Sequence, residues 1–201
     1  LAVGTFQHIS SGVASLSGFQ QVRTNDLVTF PTGVQGLVLN LGRESQDVIL
    51  LGPSVGIRGG DLVTATGERL RIPVGHKLQG RVVSPLGQPL DDGAEIEALE
   101  RWNWEHEAPD IVEREPVEEP LLTGWKVIDA LTPLGRGQRE LIMGDRQTGK
   151  TTLAIDAILN QGTQDVACFY VSIGQSKSSV RSVIETLREH GALEYTTIIV
   201  A

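Results

Sequence analysis

Gly144, Gly149, Lys150 and Thr151 occur within "IMGDRQTGKTTLAID" as Gly, four residues, then Gly-Lys-Thr. A phosphate carries several negative charges and needs donors fixed in place. Glycines let backbone N–H groups converge without Cβ clashes, and a helix starting there adds the positive end of its dipole. Lys150 has the reach to meet the outer phosphates as a point charge, and Thr151 offers a hydroxyl to Mg²⁺. The predicted nucleotide-binding loop comprises Gly144, Asp145, Arg146, Gln147, Thr148, Gly149, Lys150, Thr151 and Thr152, with Thr151 as the metal-facing residue.

Hydrolysis asks for more than a cradle. A carboxylate at the end of a second strand should hold the Mg²⁺ shell, and a base must orient the attacking water. The apolar run after the loop helix ends "VSIGQSKSS", with Gln175 where a carboxylate would be sought. An amide donates and accepts hydrogen bonds but takes no proton from water. Asp145 lies inside the loop and Asp156 on its helix, so neither substitutes. These residues alone predict a loop that holds a nucleotide, with no catalytic residue.

Two rhythms surround that loop. Residues 1–72 read as a small antiparallel β-barrel or sandwich. Short runs at 12–19, 26–30, 34–41, 47–51 and 61–74 are divided by Gly, Pro, Asn and Asp, and "ATGERL" reads as a hairpin turn at Gly67. Residues 73–201 read as a Pro- and Gly-rich linker to about 139, then an α/β domain. There "RELIMGD" is a strand entering the loop and "GKTTLAIDAILNQG" a helix stopped by Gly162. "DVACFYVSIG" is a strand in a sheet covered on both faces. Val180, Val183, Ile184 and Leu187 mark a helix ending at Gly191, and "YTTIIVA" is a further strand. The fold class is therefore a small barrel followed by an incomplete P-loop α/β domain. Trp102 and Trp104 could share one side of an extended segment and anchor it to the barrel or a neighbouring chain.

Composition narrows the functions. Of the 201 residues 40% are hydrophobic, yet no apolar run approaches the roughly 20 residues of a membrane span, so no direct membrane insertion is expected. The net charge of −8 and the lack of a basic cluster argue against nucleic acid. His8, His76, His106 and His190 have no metal-ligand spacing. The lone Cys168, inside "VACFYVSI", reads as a small buried hydrophobe.

The stretch "PLGRGQRELIMGDRQTGKTTLAIDAILNQ" (133–161) resembles the alpha-subunit family of the F-type rotary ATP synthases. "SGVASLSGF" and "GLVLNLGRESQDVILLG" are similar to its barrel, "PVGHKLQGRVVSPLGQPLD" to its interdomain connection, and "YVSIGQSKSSV" to its second strand and helix. The resemblance implies a regulatory subunit whose loop binds Mg·ATP without turnover, Gln175 standing where catalytic beta subunits carry glutamate. It implies partners too: beta subunits of the same ring and the central and peripheral stalks, on the cytoplasmic face of a membrane, coupling ion movement to ATP synthesis or hydrolysis. It places the metal-shell aspartate, an arginine finger and the adenine pocket after Ala201. Two stretches depart from the family: "ERWNWEHEAPDIVEREP" is more acidic and aromatic, and "GQSKSS" replaces the commoner Gln-Lys-Arg run. For residues 1–201 by themselves the expectation is weak nucleotide binding and self-association through an open edge at "YTTIIVA". The alternatives are a catalytic hexameric ATPase of beta or secretion type, and an RNA-translocating hexamer that shares "GRGQR".

Overall fold

A computed structural model describes residues 2–19, 21–97 and 100–201. By its contacts the chain divides into Leu1–Arg71 and Ile72–Ala201.

The first unit is a closed barrel of six antiparallel strands: β1 (Val3–Ser10), β2 (Val13–Ser17), β3 (Asp26–Thr29), β4 (Gln35–Leu41), β5 (Gln46–Leu50) and β6 (Leu62–Arg69). They close in the order β1-β2-β5-β4-β3-β6. Period-two alternation sends Ala14 and Leu16 of β2 inward, where they meet Phe6, Val28, Phe30, Val38 and Val63. Phe6 and Phe30 pack edge to face with centroids 6.1 Å apart. The interior is full: a Cβ on Gly36 would come within 2.4 Å of Val48 Cγ1, so β4 needs glycine at its inward position. Two readings of this region change. The run at 3–10 is a strand, although its inward positions include Gly4 and its last four residues are exposed, which blurs the alternation. Gly67 is no hairpin turn. It lies inside β6, where Asp26 pairs with Arg69 and Val28 with Ala65. The excess residues form a bulge with Gly67 at φ +75°, and Thr66 Oγ1 donates to Leu27 O at 2.9 Å.

The second unit is built on a parallel sheet of three strands, β8 (Val82–Val83), β12 (Cys168–Ser172) and β13 (Thr196–Val200), in the order β12-β13-β8. Beside it pack α2 (Lys150–Leu159) and α3 (Lys177–Glu189), around a core of Val82, Val183, Leu187, Ala192 and Ile198. α3 follows its apolar period, with Val180, Val183 and Leu187 buried and Ile184 partly so. Gly191 closes it in the left-handed region at φ +70°.

Four expectations fail here. The stretch 73–139 is more than a linker, because Val82 and Val83 pair with Ile198 and Ile199 in the sheet. The same pairing makes β13 the central strand, so "YTTIIVA" offers no open edge. Residues 139–144 form no strand: among the described residues nothing pairs with them, and Leu141 and Met143 are 74% and 80% exposed. A strand exists only through its ladder. Nor is the sheet covered on both faces, since Phe169 and Val171 of β12 are exposed. Trp102 and Trp104, in and just after β9 (Glu100–Asn103), are also exposed. β9 pairs with β7 (Arg71–Val74), and the Trp102 ring lies against His106.

Besides its pairing with β13, β8 is held by an ion pair. Arg81 Nε and Nη2 each donate to Asp91 at 2.8 Å, while the N–H groups of Val82 and Gly93 donate to the same carboxylate. The Arg81 hydrogen bonds, and the backbone ones after them, hold the Asp91 carboxyl well below the usual carboxylate range, against the opposing effect of burial. A carboxyl depressed on folding contributes stability that is present above its unfolded pKa, near 4, and is lost as pH falls through the folded value. Asp91→Asn is therefore expected to destabilise the second unit by about 2 kcal/mol at pH 7. The gap should narrow only below about pH 4. Thermal unfolding followed by tryptophan fluorescence checks this, because Trp102, Trp104 and Trp125 all lie in that unit. A gap unchanged down to pH 2.5 would sink the account.

Candidate functional site: a phosphate cradle on α2

The glycine loop forms without a preceding strand. Gly149 takes the left-handed conformation at φ +88° immediately before α2, and Gln147 does so at φ +62°. Thr148 Oγ1 donates to Asp145 O at 2.9 Å, which folds the loop on itself. Lys150 turns back across it, its Nζ donating to Gly144 O at 2.7 Å and to Asp145 O. Gly144 leaves room for this: a Cβ there would meet Thr148 Oγ1 at 2.9 Å. The ammonium is thus seated at the mouth of the loop by charge-assisted hydrogen bonds.

The first rung of α2 is Leu153 N–H to Gly149 O at 2.9 Å. The N–H groups of Lys150, Thr151 and Thr152 come before the ladder starts and point toward the loop. The first turn has no acidic residue. Three N–H donors, a helix dipole and a seated ammonium, with no competing carboxylate in that turn, suit a multiply charged phosphate. Thr151 is exposed, and its hydroxyl is of the kind that would enter the shell of a Mg²⁺ if one were bound.

Gly144 to Thr152 are brought together as one continuous structure, with Asp145 and Arg146 exposed. Across from Thr151 and Thr152 stand Ser178, Ser179 and Ser182 of α3, and the two helices enclose a cleft of about 610 Å³. Ser176 caps α3 by accepting from Ser179 N–H, and its hydroxyl bonds those of Ser178 and Ser179 at 2.9 and 2.8 Å. Gln175 is exposed on the loop between β12 and α3. Among the described residues it makes no hydrogen bond to the glycine loop. The carboxylate lining the cleft is Asp156, in the second turn of α2. β8 runs into Ser84 and β12 into Ile173-Gly174-Gln175, so neither leads into an acid. Cys168 is half-buried at the start of β12, and burial pushes its thiol up, away from the reactive thiolate.

What the sequence reading missed is the bracket behind α2. Asp129 accepts from Thr123 Oγ1 at 2.7 Å and from the N–H groups of Thr123 and Gly124. Those bonds, led by the Thr123 hydroxyl, lower its pKa. The turn so formed presents Leu122 O to Asn160 Nδ2 and Gln161 Nε2, both at 2.8 Å. Tyr195 Oη donates to Ile158 O at 3.1 Å from the other side. The C-terminal end of α2 is thereby fixed while its N-terminal end stays open. "TGWKVID" does carry a signal, a Thr-Gly followed by an aspartate one helical turn into α1 (Lys126–Leu131), but it reads as any capped turn.

Comparison with known families decides what the cradle belongs to. The model of the ATP synthase alpha/beta family nucleotide-binding domain matches residues 124–201, and that of the same family's beta-barrel domain matches residues 3–67. The chain belongs to the ATP synthase alpha/beta family. The family's barrel match covers β1 to the bulge in β6, and its nucleotide-binding match runs from Gly124, just after Thr123, through α2 and α3 to the end of β13. Alpha and beta subunits share both domains, so the subunit type rests on individual residues.

Gly149→Ala tests the loop. The added methyl meets nothing within 4 Å, so the cost is conformational only. A loss of about 1–2 kcal/mol is expected, from holding an L-residue in the left-handed region. Urea titration of both proteins measures it, and an unchanged midpoint would show that Gly149 is not held left-handed.

Proposed function

We propose that this chain belongs to a non-catalytic, alpha-type subunit of a rotary ATP synthase, whose glycine loop holds Mg·ATP without turning it over. The observation that carries the reading is Gln175. It follows β12, where a hydrolytic site would need a carboxylate, and an amide there can orient water but accept no proton. In this reading the N–H groups at the start of α2 and Lys150 hold the triphosphate, and Thr151 faces the metal. A Mg²⁺ held there would neutralise phosphate charge. Asp145, Arg146, Gln147 and Thr148 shape the loop, and Thr152 continues its N–H series. The subunit would alternate with beta subunits in a ring, meet the central and peripheral stalks, and sit at the cytoplasmic face of a membrane whose ion gradient it helps couple to ATP.

The assembled ring provides the test. Lys150→Ala in this subunit should abolish its retained nucleotide on gel filtration while leaving the initial hydrolysis rate within a factor of a few. Gln175→Glu should produce no gain. Loss of nearly all turnover with Lys150→Ala, or hydrolysis by a ring lacking beta, would overturn the reading in favour of a catalytic hexamer. Residues 1–201 alone should bind Mg·ATP more weakly than micromolar in calorimetry, because the segment before the loop has no strand partner to brace it. A sub-micromolar affinity would contradict that.

A further inference from the structure

The stretch from Glu105 to Glu119 holds seven carboxylates against the single guanidinium of Arg114, so most of the net charge of −8 is gathered in fifteen residues. The same surface exposes large apolar side chains that the fold leaves unused. Ile111 and Val112 are 84% and 94% exposed, and Trp102, Trp104 and Val117 lie exposed near them in sequence. This segment is ordered by its own bonds. Asp110 and Glu113 form a reciprocal capping box around the 3₁₀ turn Ile111–Glu113, with Ile111 N–H to Asp110 Oδ1 at 2.8 Å and Asp110 N–H to Glu113 Oε2 at 3.1 Å. Arg114 Nε donates to Pro109 O, and Trp102 Nε1 donates to Glu100. Arg114 is thus turned onto its own backbone, Arg136 pairs with Glu119 at 3.3 Å, and two branched side chains are held outward in a stretch whose other carboxylates outnumber these cations.

Aromatic and aliphatic groups ringed by charge have the make-up of an interface core and its rim. The sign of the rim selects the occupant. Nucleic acid and anionic lipid carry the same sign and are repelled, and a second copy would bring an equally acidic strip. We propose that residues 100–119 are a docking strip for a cationic protein surface of another subunit, with Ile111 and Val112 entering an apolar seat and the carboxylates meeting lysines and arginines around it. Such a rim would act mainly on encounter rate and partner choice, and the apolar pair on residence time.

The test uses the full-length subunit in its purified, assembled complex, with p-benzoylphenylalanine in place of Val112. Irradiation should give an adduct to one other polypeptide, at a peptide rich in Lys and Arg. Changing Glu107, Glu115 and Glu118 together to Lys should lower the adduct yield about tenfold, and changing them to Gln should lower it by less. Nucleotide retention by the subunit reports that both variants fold. An adduct within the same chain, to a second copy, to lipid or to an uncharged peptide would overturn the proposal. So would a yield indifferent to the charge reversal, or no adduct at all.

Discussion

Three backbone N–H groups at the start of α2 point out of the helix with no acceptor among the described residues, and much of the second unit follows from that requirement. Keeping them available demands a left-handed turn at Gly149, which a side chain would resist. It demands a place for the Lys150 charge, which the carbonyls of Gly144 and Asp145 supply. It also demands that α2 be held from its other end, and Leu122 O and Tyr195 do this through groups far from the loop. A helix open at one end and clamped at the other is the simplest arrangement that leaves donors free without leaving the element loose.

The parts legible in the sequence are those whose causes are local. α3 has its period, its serine cap and its left-handed glycine within sixteen residues, and it forms as read. The glycine loop is legible for the same reason, since its donors are consecutive. β8 was not legible: two valines in a Pro- and Gly-rich stretch become a strand because β13 lies beside them, and Arg81 and Asp91 hold them there. "RELIM" shows the converse. It is apolar enough to read as a strand, yet pairing is a property of two segments, and nothing described lies alongside it. Gly67 was ambiguous in principle, because a bulge and a hairpin call for the same positive φ. The Thr123–Asp129 bracket depends on a geometry that no short spacing announces.

Family membership and subunit type rest on different kinds of evidence. The barrel and the nucleotide-binding domain each match over most of their elements and are properties of whole segments. The reading that this loop keeps its nucleotide rests on a single amide after β12. One oxygen exchanged for an NH₂ group removes a proton acceptor while preserving the hydrogen-bonding outline. A fold shared by several subunits can in this way be divided between holding and reacting without any rearrangement of strands or helices.

The pairing of β8 with β13 also bears on how the molecule is made. The hydroxyl of Thr197 reaches Leu78 O across 119 positions of sequence, and Val82 and Val83 find their partners in the same neighbourhood. During synthesis at 5–20 residues per second, these valines wait on the order of ten seconds before β13 emerges. Closing so long a loop also slows the search for the native pairing. In that interval the strand is an exposed apolar edge, and the turn at Ser84–Gly87, which needs only near neighbours, is the one piece of this neighbourhood that can form early. The barrel has no such dependence, because the pairing of its closing strand β6 with β1 and β3 is complete once residue 69 is made. Order of assembly is therefore written into the topology: barrel first, sheet last.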